Sequence, residues 1–137
     1  MSHNGSITAF FTVLVDGDDF NEPISDAVRG ILDGHIILSR SLAAANHFPA
    51  VDVLNSVSRL MPDIVEKAHF AKAGKIKNKM AVYKDAEDII NIGAYKKGSN
   101  PEIDDAVASI GAINAMLRQA IDEQFEFEDT MKLLNAI

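Results

Sequence analysis

The stretch "HFPAVDVLNSVSRLM", residues 47–61, divides this chain into two kinds of sequence. Before it, short runs rich in valine, isoleucine and aromatic residues alternate with turn signals, the pattern of strands and tight connections. After it, only the 3.6-residue period of amphipathic helices remains. The stretch itself opens on an aromatic–proline pair, passes through a predicted strand at residues 50–54, and ends in a single arginine. No acidic residue stands in the six positions before Arg59.

Working outward toward the N-terminus, "HIILS", residues 35–39, predicts a second strand after the Asp33-Gly34 turn signal. A helix is expected near Ile24 to Leu32. Further back, "ITAFFTVLV", residues 7–15, is almost entirely apolar or β-branched. Continuous rather than alternating hydrophobicity predicts a strand buried on both faces, as in a parallel sheet. The first sixty residues therefore read as β-α-β. Three strands needing cover on both faces belong to a larger sheet, so the sequence reads as part of a longer one.

Toward the C-terminus, Met80, Tyr83 and Ile90, with Val82, Ala86 and Ile89 beside them, form an apolar face through residues 76–92, and Gly93 ends it. Asn100 is placed to cap a following helix, with Pro101 as its first residue and Glu102 and Asp104 near its positive end. Ile110, Ile113, Leu117 and Ile121 make the next stripe, and Phe127, Met131 and Leu134 the last. The expected fold is mainly α: a C-terminal helical bundle preceded by a short α/β piece, with the boundary between residues 1–61 and 62–137.

Composition narrows the function classes. The chain has 137 residues, 47% apolar, with a formal net charge of −7. That charge argues against a general binder of nucleic acid or of anionic membranes. There is no cysteine, so disulfide frameworks and thiolate metal sites are excluded. No apolar run approaches the roughly 20 residues of a bilayer span, and the start lacks the basic and cleavage features of a signal peptide.

Several chemistries fail on their own terms. Asp16, at the end of an apolar run, resembles the Mg²⁺-binding acid of a P-loop NTPase, but no phosphate loop is present. Gly74-Lys75 is followed by Ile76, and His69 stands where the first glycine is needed. "DGDDFNE" lacks the alternating ligand pattern of a calcium loop. The four histidines form no close-spaced ligand pair, so no metal site is visible. Ser56 and Ser58 are not in a nucleophile elbow. The lysines at 67, 72, 75, 77, 79 and 84 read as a solvated helix face.

In order along the chain stand "GSIT" (Gly5 to Thr8), "DDFNEP" (Asp18 to Pro23), "LDGHIILSR" (Leu32 to Arg40), "PAVDVLNSVSR" (Pro49 to Arg59), "AVYKDAEDIINIGAYKKGSNPEID" (Ala81 to Asp104) and "LRQAIDE" (Leu117 to Glu123). This series resembles the C-terminal part of the flagellum-specific, type III export ATPase family, itself related to the catalytic subunits of rotary ATP synthases. The resemblance implies that residues 1–61 are the last strands of a RecA-like ATPase domain. It also implies that the phosphate loop, the catalytic glutamate and the Mg²⁺-supporting aspartate lie upstream of Gly5. ATP and magnesium are then the cofactors of the longer protein, and the chain by itself is expected to be inactive, with no tightly bound cofactor.

The resemblance also assigns residues. Arg59 matches the arginine finger that reaches a neighbouring subunit's γ-phosphate, with a helix-start ion pair to Asp63 as the structural alternative. Phe48 falls where relatives carry an aromatic, commonly tyrosine, stacked on adenine; losing the hydroxyl leaves the ring face intact. Leu117 to Ile121 match the helical segment on the other side of the base, with Gln119 the residue named there. The implied partners are five further copies in a homohexamer, a small coiled-coil stalk-like protein and other components of the export apparatus. The acidic loop "DGDDFNE" and the tip "YKKGSNPEID" are the implied stalk surfaces, although the acidic stretch of the synthase subunit is absent from that tip. The implied location is cytoplasmic, peripheral at the export apparatus. Two alternatives stand: a virulence-type secretion ATPase, and a non-enzymatic helical adaptor of the apparatus.

Overall fold

The computed structural model describes residues 5, 7–15, 17, 19 and 22–137. They fall into two compact units, Met1–Leu32 and Asp33–Ile137. In the first unit, helix α1 spans Pro23–Ile31. Proline in its first turn presets the helical φ and gives up an N–H that has no partner there. The Ser25 hydroxyl donates to Glu22 Oε1 at 2.8 Å, and Asp26 in the first turn pairs with Arg29 in the last at 3.4 Å.

The strand expected over residues 7–15 is not formed; this segment has no regular structure. Ile7, Phe10 and Leu14 are 96%, 93% and 92% exposed. A strand exists only as one side of a hydrogen-bonded ladder, and neither strand among the described residues pairs with this segment. Its apolar content is a surface that needs cover, which is not sufficient to make a strand. Asp16 lies outside the described residues, as do Asp18, Phe20 and Asn21 of the acidic loop.

The second unit runs β1 (Gly34–Leu38), α2 (Arg40–Ala44), β2 (Val51–Ser58), α3 (Met61–Ile64), α4 (Lys67–Asn91), α5 (Pro101–Leu117) and α6 (Phe127–Ala136). β1 and β2 pair antiparallel, and the parallel sheet expected from residues 7–15 is not formed among the described residues. The reversal happens around α2. The Ser39 hydroxyl caps that helix by accepting from Leu42 N, and Asn46 turns the chain at φ 56°, a left-handed conformation that asparagine tolerates. His47 N then donates to Leu42 O at 2.9 Å and Ser39 N to Ala50 O at 2.8 Å, delivering the chain into β2. The Phe48–Pro49 peptide bond is cis.

Helices α4, α5 and α6 each contribute one residue to the centre of the core: Ile76, Ile113 and Leu134. Met80, Met116, Leu117 and Met131 pack around them. Lys79 Nζ staples α4 to α5 through Asp105 at 3.1 Å and Ser109 Oγ at 2.8 Å. The α4–α5 connection is equally constrained. Gly93 ends α4 at φ 71°, a conformation suited to glycine. Asn100 Oδ1 accepts from Glu102 N at 2.9 Å, so the expected cap is in place. The Asp104 carboxylate then ties down the loop, lying 2.9 Å from Tyr95 Oη and accepting from Gly98 N at 2.8 Å.

Three stripe residues depart from expectation. Ile121 is wholly exposed, because α5 stops at Leu117 and Arg118 turns to extended backbone at φ −92°, ψ 142°. Ile89 and Phe127 are 42% and 66% exposed. The Phe127 ring lies 6.2 Å from that of His69, beside the core. Ile113→Ala should therefore lower unfolding free energy by about 2–5 kcal/mol in urea titration. Ile121→Ala, by contrast, should leave it unchanged within about 0.5 kcal/mol.

Candidate functional site

Strand β2 has a candidate site residue near each end, Phe48 and Arg59. At its entrance, Asn46, Phe48, Arg118, Gln119, Ala120, Ile121 and Glu123 line a cleft of ≈ 580 Å³, within the range that small ligands occupy. Phe48 and Gln119, distant in sequence, are joined here: Gln119 N donates to Phe48 O at 2.8 Å. The segment bearing Gln119 is a tight turn rather than the helix expected through Ile121. Glu123 Oε2 accepts from Ala120 N at 2.7 Å and Glu123 O accepts from Gln119 Nε2 at 2.7 Å. With its side chain committed to that carbonyl, Gln119 contributes chiefly by holding the turn against Phe48. The half-exposed Phe48 ring and the fully exposed Ile121 are two apolar surfaces on the cleft. A π-face with apolar surroundings suits a planar base, for which stacking contributes roughly 1–3 kcal/mol.

Between the two ends, β2 departs from a regular ladder. From the His35↔Val57 pair to the Ile37↔Asp52 pair, β1 moves two residues and β2 five, so β2 holds three extra residues. Polar side chains close the gap. The Ser56 hydroxyl donates to Asp52 O at 2.6 Å and accepts from Ile37 N at 3.0 Å. Asp52 accepts from Asn55 N at 3.0 Å and from Asn55 Nδ2 at 2.7 Å. His35 Nε2 lies 3.1 Å from Asn55 O, and Lys77 on α4 donates to Ser56 O at 2.9 Å. Burial acts to raise the Asp52 pKa, but the Asn55 hydrogen bonds and the Lys84 charge outweigh it and hold the carboxyl below its ordinary value.

Beyond the bulge the ladder resumes tightly. Gly34 pairs with Ser58, and a Cβ on Gly34 would stand 2.7 Å from Val57 O. The glycine of "LDGHI" is thus required by close approach of two backbones. Arg59 N donates to Asp33 O at 2.8 Å, so the arginine leaves the sheet edge from a fixed backbone position with its side chain exposed. The two ends of β2 pair with Gly34 and Leu38 of β1, four residue steps and so roughly 13 Å apart at about 3.3 Å per residue. Arg59 is not among the residues that line the Phe48 cleft.

Sequence reasoning reads Gly34 only as a turn signal and gives Lys77, Ser56 and Arg118 no structural role. All but Lys77 stood inside the quoted motifs, but only their three-dimensional partners show what they do. Lys77 and Lys79 also correct the reading of the α4 lysines as a uniformly solvated face, since both are half-buried and hydrogen-bonded.

Two family models match the chain. Residues 65–136 match the T3SS EscN ATPase C-terminal domain, and residues 1–58 match the nucleotide-binding domain of the ATP synthase alpha/beta family. The flagellum-specific ATP synthase of Bacillus subtilis is 50% identical over 136 residues, covering 99% of this chain and 31% of that protein. The assembled ATPase EscN of the enteropathogenic E. coli type III secretion system superposes with a TM-score of 0.91 at 43% identity, over 96% of this chain and 32% of EscN. EscN in complex with its central stalk EscO gives 0.78 at 41% identity, over 83% of this chain and 28% of that one. The chain thus spans about a third of the length of these relatives.

His47, buried next to Phe48, supplies a pH test. Burial first, and the Arg118 charge second, lower its pKa below the ordinary 6.5. The unfolded chain then takes up this proton more readily than the folded one. The contribution to stability is complete above about pH 6.5 and is lost as pH falls below it. Urea midpoints should fall between pH 7 and 5, and His47→Gln should flatten that slope. Arg118→Gln should move the His47 NMR titration upward, toward 6.5.

Proposed function

The chain belongs to the family of the T3SS EscN ATPase C-terminal domain, and we propose that it is the C-terminal part of a type III export ATPase, of flagellar or virulence type. In this role it completes nucleotide sites shared between neighbouring subunits of a homohexamer. Residues 1–61 are the end of the RecA-like domain and residues 62–137 the helical domain. The family-model matches at residues 1–58 and 65–136 support that division.

Phe48 is the adenine-stacking ring of the subunit's own site, with Gln119 closing the cleft through its bond to the Phe48 carbonyl. Arg59 acts on the neighbour's nucleotide. The observation that carries this reading is β2 itself: a base-sized cleft at its entrance, an exposed arginine beyond its exit, and a full strand between them. The arginine stands outside the cleft that would take the base, which suits action on a second nucleotide at the neighbouring interface. A guanidinium near the γ-phosphate stabilises the charge that spreads over the phosphoryl oxygens in the transition state. Its permanent charge and planar donors suit that task better than an ammonium. When bound, magnesium supplies charge neutralisation on the phosphates, held by residues other than these.

Since EscN is seen with a central stalk, EscO, a stalk-like coiled-coil protein is the proposed partner of this chain too. The loop after α4, held by Asp104 and carrying exposed Lys96 and Lys97, is the proposed contact. No helix among the described residues is long and apolar enough to cross a membrane; the proposed location is the cytoplasmic face of the export apparatus.

In the full-length hexamer, Arg59→Ala should keep nucleotide affinity within about threefold while turnover falls by roughly 10³ or more, and Arg59→Lys should restore little of it. Loss of nucleotide binding together with turnover, or unfolding, would instead favour the helix-start role with Asp63.

A further inference from the structure

We infer that Lys77 is a positioning residue for Arg59, acting through the Ser56 carbonyl to hold β2 in the register that presents the arginine. This rests on the reading of Arg59 as a trans-acting finger. The bulge makes the register a real choice. Because side chains alternate along a strand, a slip of one residue between Asp52 and Val57 would turn Arg59 to the opposite face of the sheet. Bulges serve elsewhere to re-aim a side chain, and here Ser56 is hydrogen-bonded from both β1 and α4. Its hydroxyl holds Asp52 O and Ile37 N within the sheet. Its carbonyl accepts from Lys77 Nζ at 2.9 Å, the bulge's hydrogen bond to the helical domain.

Lys77 is chemically suited to a strut. It is half-buried, and among the described residues it forms no ion pair. A lysine serving only as surface charge would not direct its ammonium to a backbone carbonyl twenty-one residues away in sequence. Two residues along α4, and so about 200° around the helix, Lys79 grips Asp105 and Ser109 on α5. The helix is clamped between the strand and its hairpin partner. From Lys77 to the end of α4 at Asn91 is roughly 21 Å of continuous helix at about 1.5 Å per residue. A displacement at the loop beyond Asn91 is thereby delivered to Ser56, three residues from Arg59. Contact at the tip of the hairpin can in this way set the aim of the finger.

The test is a double-mutant cycle in the full-length hexameric enzyme, reading steady-state ATP turnover, affinity for a fluorescent ATP analogue and melting temperature. Lys77→Met should lower kcat about tenfold or more, the scale of a small misplacement of a reacting group, with KM and analogue affinity within about twofold. Lys77→Arg should restore turnover to within about threefold. In an Arg59→Ala background, Lys77→Met should cost nothing further. Equal losses with and without Arg59, or a fall in melting temperature with KM and kcat moving together, would overturn the assignment and make Lys77 a structural contact. Lys77→Gln serves the same cycle if the Met variant does not assemble. Full activity in Lys77→Met while Arg59→Ala is inactive overturns the Lys77 role alone. Full activity in Arg59→Ala overturns the finger reading on which it stands.

Discussion

Everything distinctive in this structure depends on how the gap in the β1–β2 ladder is closed. Three extra residues in β2 interrupt the ladder between His35 and Ile37, and beside the gap one hydroxyl, that of Ser56, bonds both the Ile37 N–H and the Asp52 C=O. A buried backbone group left unpaired costs about 1–3 kcal/mol, more than the net gain from an ordinary hydrogen bond. The Ser56 hydroxyl satisfies a backbone donor and a backbone acceptor at the point where the ladder is interrupted. The Asp52–Asn55 pair and Lys77 hold the same loop from either side. With the bulge fixed, the tight Gly34–Ser58 approach and the Arg59–Asp33 bond follow, and the chain leaves the sheet with its arginine in a defined place.

The helical part does a different kind of work. Its core is small, centred on one residue from each of three helices, and much of the rigidity of the α4–α5 hairpin comes from polar links. Lys79 bridges its two helices, and Asp104 holds the connecting loop by Tyr95 and Gly98. Such links confer little net stability, since exposed ion pairs are worth about 0–1 kcal/mol, but they limit the number of shapes available. For a domain read as passing a partner's position to a sheet edge, defined shape is the relevant property.

Helices were legible from periodicity and caps: Asn100, Pro101 and Gly93 act as their residue types dictate, and Ile113 is the buried centre of its stripe. The segment 7–15 misled because an apolar run reports the need for cover and says nothing of which partner supplies it. Ile121 misled because its spacing continued the stripe of α5 after Arg118 had already left the helix. β2 was read short, at residues 50–54, since asparagine and serine are poor strand formers; the bulge is what accommodates them. Gln119 and Arg59 could be assigned roles in advance only by resemblance, whereas Phe48, an aromatic at a strand entrance, already offered a flat face to a base. That Phe48 and Gln119 meet in one cleft, while Arg59 stands outside it, is a property of tertiary structure that no local pattern carries. Lys77 had no signal at all beyond being one of six lysines on a helix.

The central claim is that one subunit's Arg59 serves its neighbour's nucleotide, and subunit mixing tests it most directly. Hexamers of Arg59→Ala and hexamers lacking the upstream phosphate-loop lysine are each expected to be inactive. After exchange, mixed rings contain interfaces with an intact phosphate loop on one side and an intact arginine on the other. Recovery of ATP turnover in proportion to those interfaces is the predicted result. No recovery, with exchange verified by a label on one population, would contradict the account and return Arg59 to a role within its own subunit.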